Sequence, residues 1–168
     1  MAEAYLGLDL GTSGLRGLLT DATGQVLASA EAHYEVARPH QGWSEQDPAD
    51  WVRAVDAVMT ALGETARDAL ATLAGIGVAG HMHGAVLLDK AGEVLRPCIL
   101  WNDTRAHAEA AALDAISAVR SGSGNIVFPG FTAPKLVWVL HNEPEVFHAT
   151  ARVLLPAAYL NFYLTGEA

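Results

Sequence analysis

The chain has 168 residues, 51% of them apolar, with 10 Lys+Arg against 19 Asp+Glu for a net charge of −9, and one cysteine, Cys98. That length and apolar content suffice for one substantial core, so one compact domain is expected. The acidic balance leaves no basic stripe for a phosphate backbone, which argues against nucleic acid as a partner, and a lone cysteine forms no intrachain disulfide, which fits a reducing cytoplasm.

The first four residues lead into an apolar strand pattern without the basic start and long apolar run of a signal peptide. No stretch approaches the ~20 apolar residues needed to cross a bilayer, so a soluble, cytoplasmic chain with no membrane partner is expected. Three strands follow, over residues 4–10, 15–21 and 26–35, joined by glycine-rich turns as an antiparallel meander. Asp47-Pro48 then reads as a helix start, because Trp51, Val55, Val58 and Leu62 recur at helical spacing behind it.

A short buried strand over 74–79 ends at a loop, Gly80–Gly84, and the alternation of strand, helix and strand points to α/β layering. Residues 86–88 and a segment beginning at Glu93 read as two more strands joined by a turn over 90–92, with 99–101 as a further short strand. A helix is expected over 103–119, capped by Asn102 or Asp103, then a flexible loop over 121–124. Short helices over 134–140 and 144–149, a strand over 153–155 and a helix over 157–164 complete the pattern. The last four residues follow that helix directly, and the chain is expected to be the front part of a longer protein.

The sharpest chemical feature is Gly7-Leu8-Asp9-Leu10-Gly11-Thr12-Ser13-Gly14. An acidic residue ends one strand, and a Gly/Ser/Thr turn whose amides and hydroxyls can donate to phosphate oxygens leads into the next. No GxxxxGK[ST] is present and no helix follows, so this is neither a Walker loop nor a dinucleotide fingerprint. Taken alone, the segment reads equally as a phosphate cradle, with Asp9 holding a phosphate-bound Mg²⁺, or as a tight hairpin with an exposed carboxylate. His81 and His83 would share a face if the chain there were extended, a pattern open to metal binding, though spacing suggests no third ligand, or to a structural histidine that ties down a loop. Trp101 at a strand end is by itself a core aromatic.

The octapeptide resembles the first phosphate motif of the actin-like ATPase superfamily. Three later segments, Gly80-His81-Met82-His83-Gly84, Leu100-Trp101-Asn102-Asp103-Thr104-Arg105 and Gly130-Phe131-Thr132-Ala133-Pro134-Lys135-Leu136-Val137-Trp138, resemble successive landmarks of the FGGY carbohydrate kinases. Arg38-Pro39-His40 and Gly42-Trp43-Ser44-Glu45-Gln46-Asp47-Pro48 are similar to the branch of that family acting on D-xylulose. The resemblance spans residues 5–167.

It implies a ribonuclease H-like (actin-like ATPase) α/β domain with a mixed sheet flanked by helices, covering residues 1–168, with the C-terminal nucleotide-binding domain outside this chain. It implies ATP and Mg²⁺ as cofactors, a small sugar as partner, a homodimer as an assembly to test, and transfer of a phosphoryl group to D-xylulose, giving D-xylulose 5-phosphate. Asp9, Gly11, Thr12 and Ser13 would bind phosphate and metal, with Asp9 on the metal side. Met82, His83 and Trp101 would line the sugar pocket, His83 bonding a hydroxyl and Trp101 packing on the carbon skeleton. No catalytic base is expected in this segment, and the segment alone is expected to have negligible kinase activity.

Glycerol kinases of the family carry an Arg-Glu pair in place of Met82-His83 and a tyrosine in place of Gly130, which favours a longer sugar here. L-ribulose, glycerol and other polyols remain alternatives within the family, and a non-enzymatic nucleotide switch of the actin or Hsp70 kind is the alternative outside it. Asp103 and Arg105 are expected to form a local structural ion pair, and Lys135 and Trp138 to serve as scaffold.

Overall fold

The computed structural model describes residues 3–167. In chain order the elements begin with β1 (Ala4–Leu10), β2 (Gly14–Asp21), β3 (Val26–His33), β4 (Glu45–Gln46), α1 (Pro48–Thr65), α2 (Arg67–Leu70) and β5 (Leu73–Gly80). They continue through β6 (Val86–Leu88), β7 (Cys98–Ile99), α3 (His107–Asp114), α4 (Ser117–Ser123), α5 (Thr132–Asn142), α6 (Pro144–Ala149), β8 (Arg152–Leu154) and α7 (Pro156–Thr165). The described chain divides into two compact units: residues 3–35, 49–81 and 157–167, and residues 36–48 and 82–156.

The first unit is built on a four-stranded sheet in the order β3-β2-β1-β5, with β1 antiparallel to β2 and parallel to β5. Strand β1 alternates strictly, burying Ala4, Leu6, Leu8 and Leu10 and exposing Tyr5, Gly7 and Asp9, as a period of two requires when one face is covered. Helix α1 starts at Pro48, whose missing N–H is no loss in a first turn, and buries Trp51, Val55, Val58 and Leu62. It seats closely on the sheet: a Cβ on Gly17 would lie 2.4 Å from Val58 Cγ1. Helix α7 adds Tyr159 and Leu160, with the Tyr159 ring edge-on to Trp51 at 6.1 Å.

The second unit is knit from two short antiparallel pairs, β4 with β7 and β6 with β8, around Ala85, Leu87, Ile99 and Val139. Strand β4 carries only Glu45 and Gln46, both buried, so neither length nor hydropathy announces it. The expected helix over 103–119 is two helices. Asp103 does not cap; its carboxylate is taken by Arg105 and by the Ser44 N–H, and α3 begins only at His107. The break comes at Ile116, which is extended (φ −80°, ψ 108°), where Asp114 accepts from Val127 N–H and from Arg120. The expected loop over 121–124 falls largely within α4, which ends at Gly124 in the left-handed region, φ 65°. No described helix is long and apolar enough to cross a membrane.

Candidate functional site

In the first unit the hairpin between β1 and β2 forms an open cleft of about 260 Å³, lined by Asp9, Gly11, Ser13, Arg16, Glu31 and His33 among others. The sheet register makes it: Asp9 lies opposite Arg16, and Arg16 opposite Glu31, so the three side chains share the exposed face in a row across β1, β2 and β3. Arg16 meets Glu31 at 3.0 Å, and this guanidinium, by hydrogen bond and charge, holds the Glu31 carboxyl below its usual range. Thr12 lies in the same turn.

The turn is held by backbone geometry. Gly11 N–H donates to Gly14 O at 3.0 Å, and Tyr34 N–H donates to Ser13 O. The Tyr34 hydroxyl donates to Gly11 O at 2.6 Å, and burial, with the nearby Asp9 charge, pushes that phenol up, so it stays a donor at neutral pH. A Cβ on Gly14 would come within 2.7 Å of Ala32 O, so this glycine is required by close approach. Arg16 and Tyr34 escape sequence reasoning. Arg16 had a signal in the two-residue alternation that places it beside Asp9 across the hairpin; Tyr34 had none.

The second unit holds the other candidates. Met82 and Trp101 are exposed and His83 is half-buried. His83 sits at φ 60°, the one non-glycine in the left-handed region among the described residues, so the chain is not extended at this residue. Its ring lies 4.6 Å from Phe131. Burial, with the Lys135 charge behind it, lowers the His83 pKa, which favours the neutral imidazole, both a donor and an acceptor.

Lys135, a buried ammonium, donates to His83 O at 2.6 Å and to Gly130 O at 2.7 Å. Gly130 in turn presses on the tryptophan loop, since a Cβ there would lie 2.2 Å from Trp101 O. The His83 and Trp101 backbones thus converge on Gly130 and Lys135. Just after Trp101 in the chain, Asp103 and Arg105 form the expected pair, bidentate at 2.9 and 2.7 Å and both nearly fully buried. Arg105 also reaches Glu45 at 2.8 Å and lies over the Trp43 ring at 3.7 Å, while Arg96 bridges Glu45 and Glu143. Trp138 joins this cluster, facing both arginines. Among the described residues no group of three or more His, Cys, Asp or Glu is gathered to hold a metal.

The model of the N-terminal domain of the FGGY family of carbohydrate kinases matches residues 4–168. The chain belongs to that family. It is 52% identical over 164 residues to a xylulose kinase of Klebsiella pneumoniae, covering 97% of this chain and 34% of the relative. A xylulose kinase of Escherichia coli is 48% identical, again over 97% of this chain and 34% of the relative. The crystal structure of a xyloylose kinase from Brucella ovis superposes with a TM-score of 0.97 at 55% identity, over 98% of this chain and 35% of that one. The chain therefore spans about a third of the length of the relatives it matches. Its fold is the mixed-sheet α/β fold of the actin-like ATPase sugar kinases, as the sequence leads one to expect.

Proposed function

We propose that the protein carrying this chain is a cytoplasmic, ATP-dependent kinase that phosphorylates D-xylulose to D-xylulose 5-phosphate. The geometric observation that carries the reading is the row of Asp9, Arg16 and Glu31 beside an open glycine turn. The sugar is inferred from relatives named xylulose kinase at up to 52% identity.

The donor set suits a phosphate-bound Mg²⁺. With Glu31 paired to Arg16, Asp9 is the carboxylate left for the ion, and among the described residues no group of three or more His, Cys, Asp or Glu is gathered around it, so most of the coordination shell would fall to phosphate oxygens and water, as is common for that ion. When bound, Mg²⁺ would neutralise charge on the phosphate oxygens. The backbone and hydroxyls of Gly11, Thr12 and Ser13 would orient the phosphates, with Arg16 adding a cation at the same face. In the second unit the neutral His83 imidazole would bond sugar hydroxyls, and the exposed Met82 and Trp101 side chains would pack on the carbon skeleton. The sugar oxygen would form its bond to the γ-phosphorus as the bridging bond to ADP breaks, with ADP leaving and the hydroxyl proton passing to a carboxylate base expected outside this segment.

The test is ADP release by the intact protein across D-xylulose, L-ribulose, L-xylulose, glycerol and gluconate. Turnover strongest on D-xylulose supports the proposal. A preference for another member of the panel moves the substrate within the family, and ADP release independent of any sugar sinks the kinase reading.

A further inference from the structure

Lys135 is fully buried, yet its ammonium is spent on two backbone carbonyls of loops that are distant in sequence. Burying a charged amine without a paired carboxylate is unfavourable, and a methionine of similar volume would fill the same space. What the lysine supplies is the pair of donors. The carbonyl it holds at 2.6 Å belongs to His83, the one described non-glycine residue held at positive φ, and the Thr132 hydroxyl donates to that same oxygen at 3.3 Å. The second carbonyl, at 2.7 Å, belongs to Gly130, whose backbone lies against Trp101 O. A left-handed backbone at a β-carbon-bearing residue persists only where its surroundings enforce it.

We propose that Lys135 is a positioning residue for the sugar-binding rim: by tying the carbonyls of His83 and Gly130 to one ammonium, it fixes the His83 backbone in its left-handed turn and sets the place of Trp101 through Gly130. This rests on the reading of His83 and Trp101 as sugar contacts, but the fixing of the backbone stands apart from it. Lys135 touches no substrate; it acts through the two loops.

The experiment uses the intact protein and compares wild type with Lys135→Met, which keeps the volume and removes the donors, and Lys135→Gln, which keeps N–H donors on a shorter stem. The first readout, the NMR resonances of the His83 imidazole and amide without sugar, needs no turnover. The methionine variant is expected to shift and broaden them while the rest of the spectrum holds, and the glutamine variant to restore them in part. The second readout is kinetic: the KM for the sugar rises about tenfold in Lys135→Met, the weight of one hydrogen bond, while the KM for ATP stays near wild type.

Unchanged His83 resonances in a folded Lys135→Met protein overturn the proposal, as does an equal rise in both KM values. If the protein turns over no sugar at all, the functional reading fails while the NMR comparison still decides the role of Lys135. Should the methionine variant not fold, Lys135→Leu, which also removes both donors, carries the comparison, and a wild-type His83 spectrum there overturns the proposal.

Discussion

The Asp9 turn of the first unit and the His83–Trp101 rim of the second are held by different means. The turn is held by main chain: glycines that permit close approach, amides that donate to neighbouring carbonyls, and one tyrosine hydroxyl. The rim is held by buried charge: Lys135 on two carbonyls, and in the segment that follows Trp101 the cluster of Asp103 and Arg105 with Glu45 and Arg96. A turn built from backbone is specified by a few adjacent residues and tolerates exposure. A rim built from buried ions needs partners from distant segments and is correspondingly sensitive to losing any one of them.

The sharpest break should come in the rim. Arg105→Met leaves the buried Asp103 and Glu45 carboxylates short of a cation, and the loss expected in urea unfolding is about 3–5 kcal/mol. Next comes a pH effect specific to Lys135, whose pKa burial lowers from 10.5 to about 8. Between those values the unfolded chain holds a proton that the folded chain has released, so stability rises with pH there, by at most about 1.4 kcal/mol per unit. The difference in unfolding free energy between wild type and Lys135→Met should therefore climb from pH 8 toward 10.5 and be flat below; a flat difference throughout would mean the ammonium is not buried.

In the first unit the largest effect should be steric. Gly17→Ala puts a methyl group 2.4 Å from Val58 Cγ1, and overpacking of this kind is expected to cost about 1–3 kcal/mol in thermal or urea unfolding. The smallest is Tyr34→Phe, which removes one hydrogen bond to Gly11 O and should lower stability by about 1 kcal/mol, with a change in the Gly11 and Ser13 amide resonances. A Tyr34→Phe loss equal to that of Arg105→Met would erase the contrast between the two regions.

The same contrast governs what the sequence made legible. The three-strand meander, α1 and the Asp9 turn are local: alternation of Leu6, Leu8 and Leu10, the Pro48 start and the Trp51-to-Leu62 stripe define them within short windows. The mixed sheet of a sugar kinase was legible from the spaced motifs together. What failed lies where long-range polar contacts override local propensity. Glu45-Gln46 becomes a buried strand because arginines distant in sequence reach Glu45, and Asp103 forgoes helix capping because Ser44 and Arg105 claim its carboxylate. Asp114, bonded to Val127 and Arg120, marks where the expected long helix divides. Lys135 could be read as scaffold from sequence, but its two carbonyl partners could not, since a left-handed histidine has no signature in composition or spacing.

The most direct test of the division of labour is a pair of variants in the intact protein, Asp9→Ala and His83→Ala, with dissociation constants for D-xylulose and for ATP measured beside steady-state turnover in varied Mg²⁺. The account predicts that Asp9→Ala removes turnover and its Mg²⁺ dependence while D-xylulose still binds, and that His83→Ala weakens D-xylulose binding while ATP binding is kept. Variants that impair both ligands alike, or His83→Ala with unaltered sugar affinity, would contradict it.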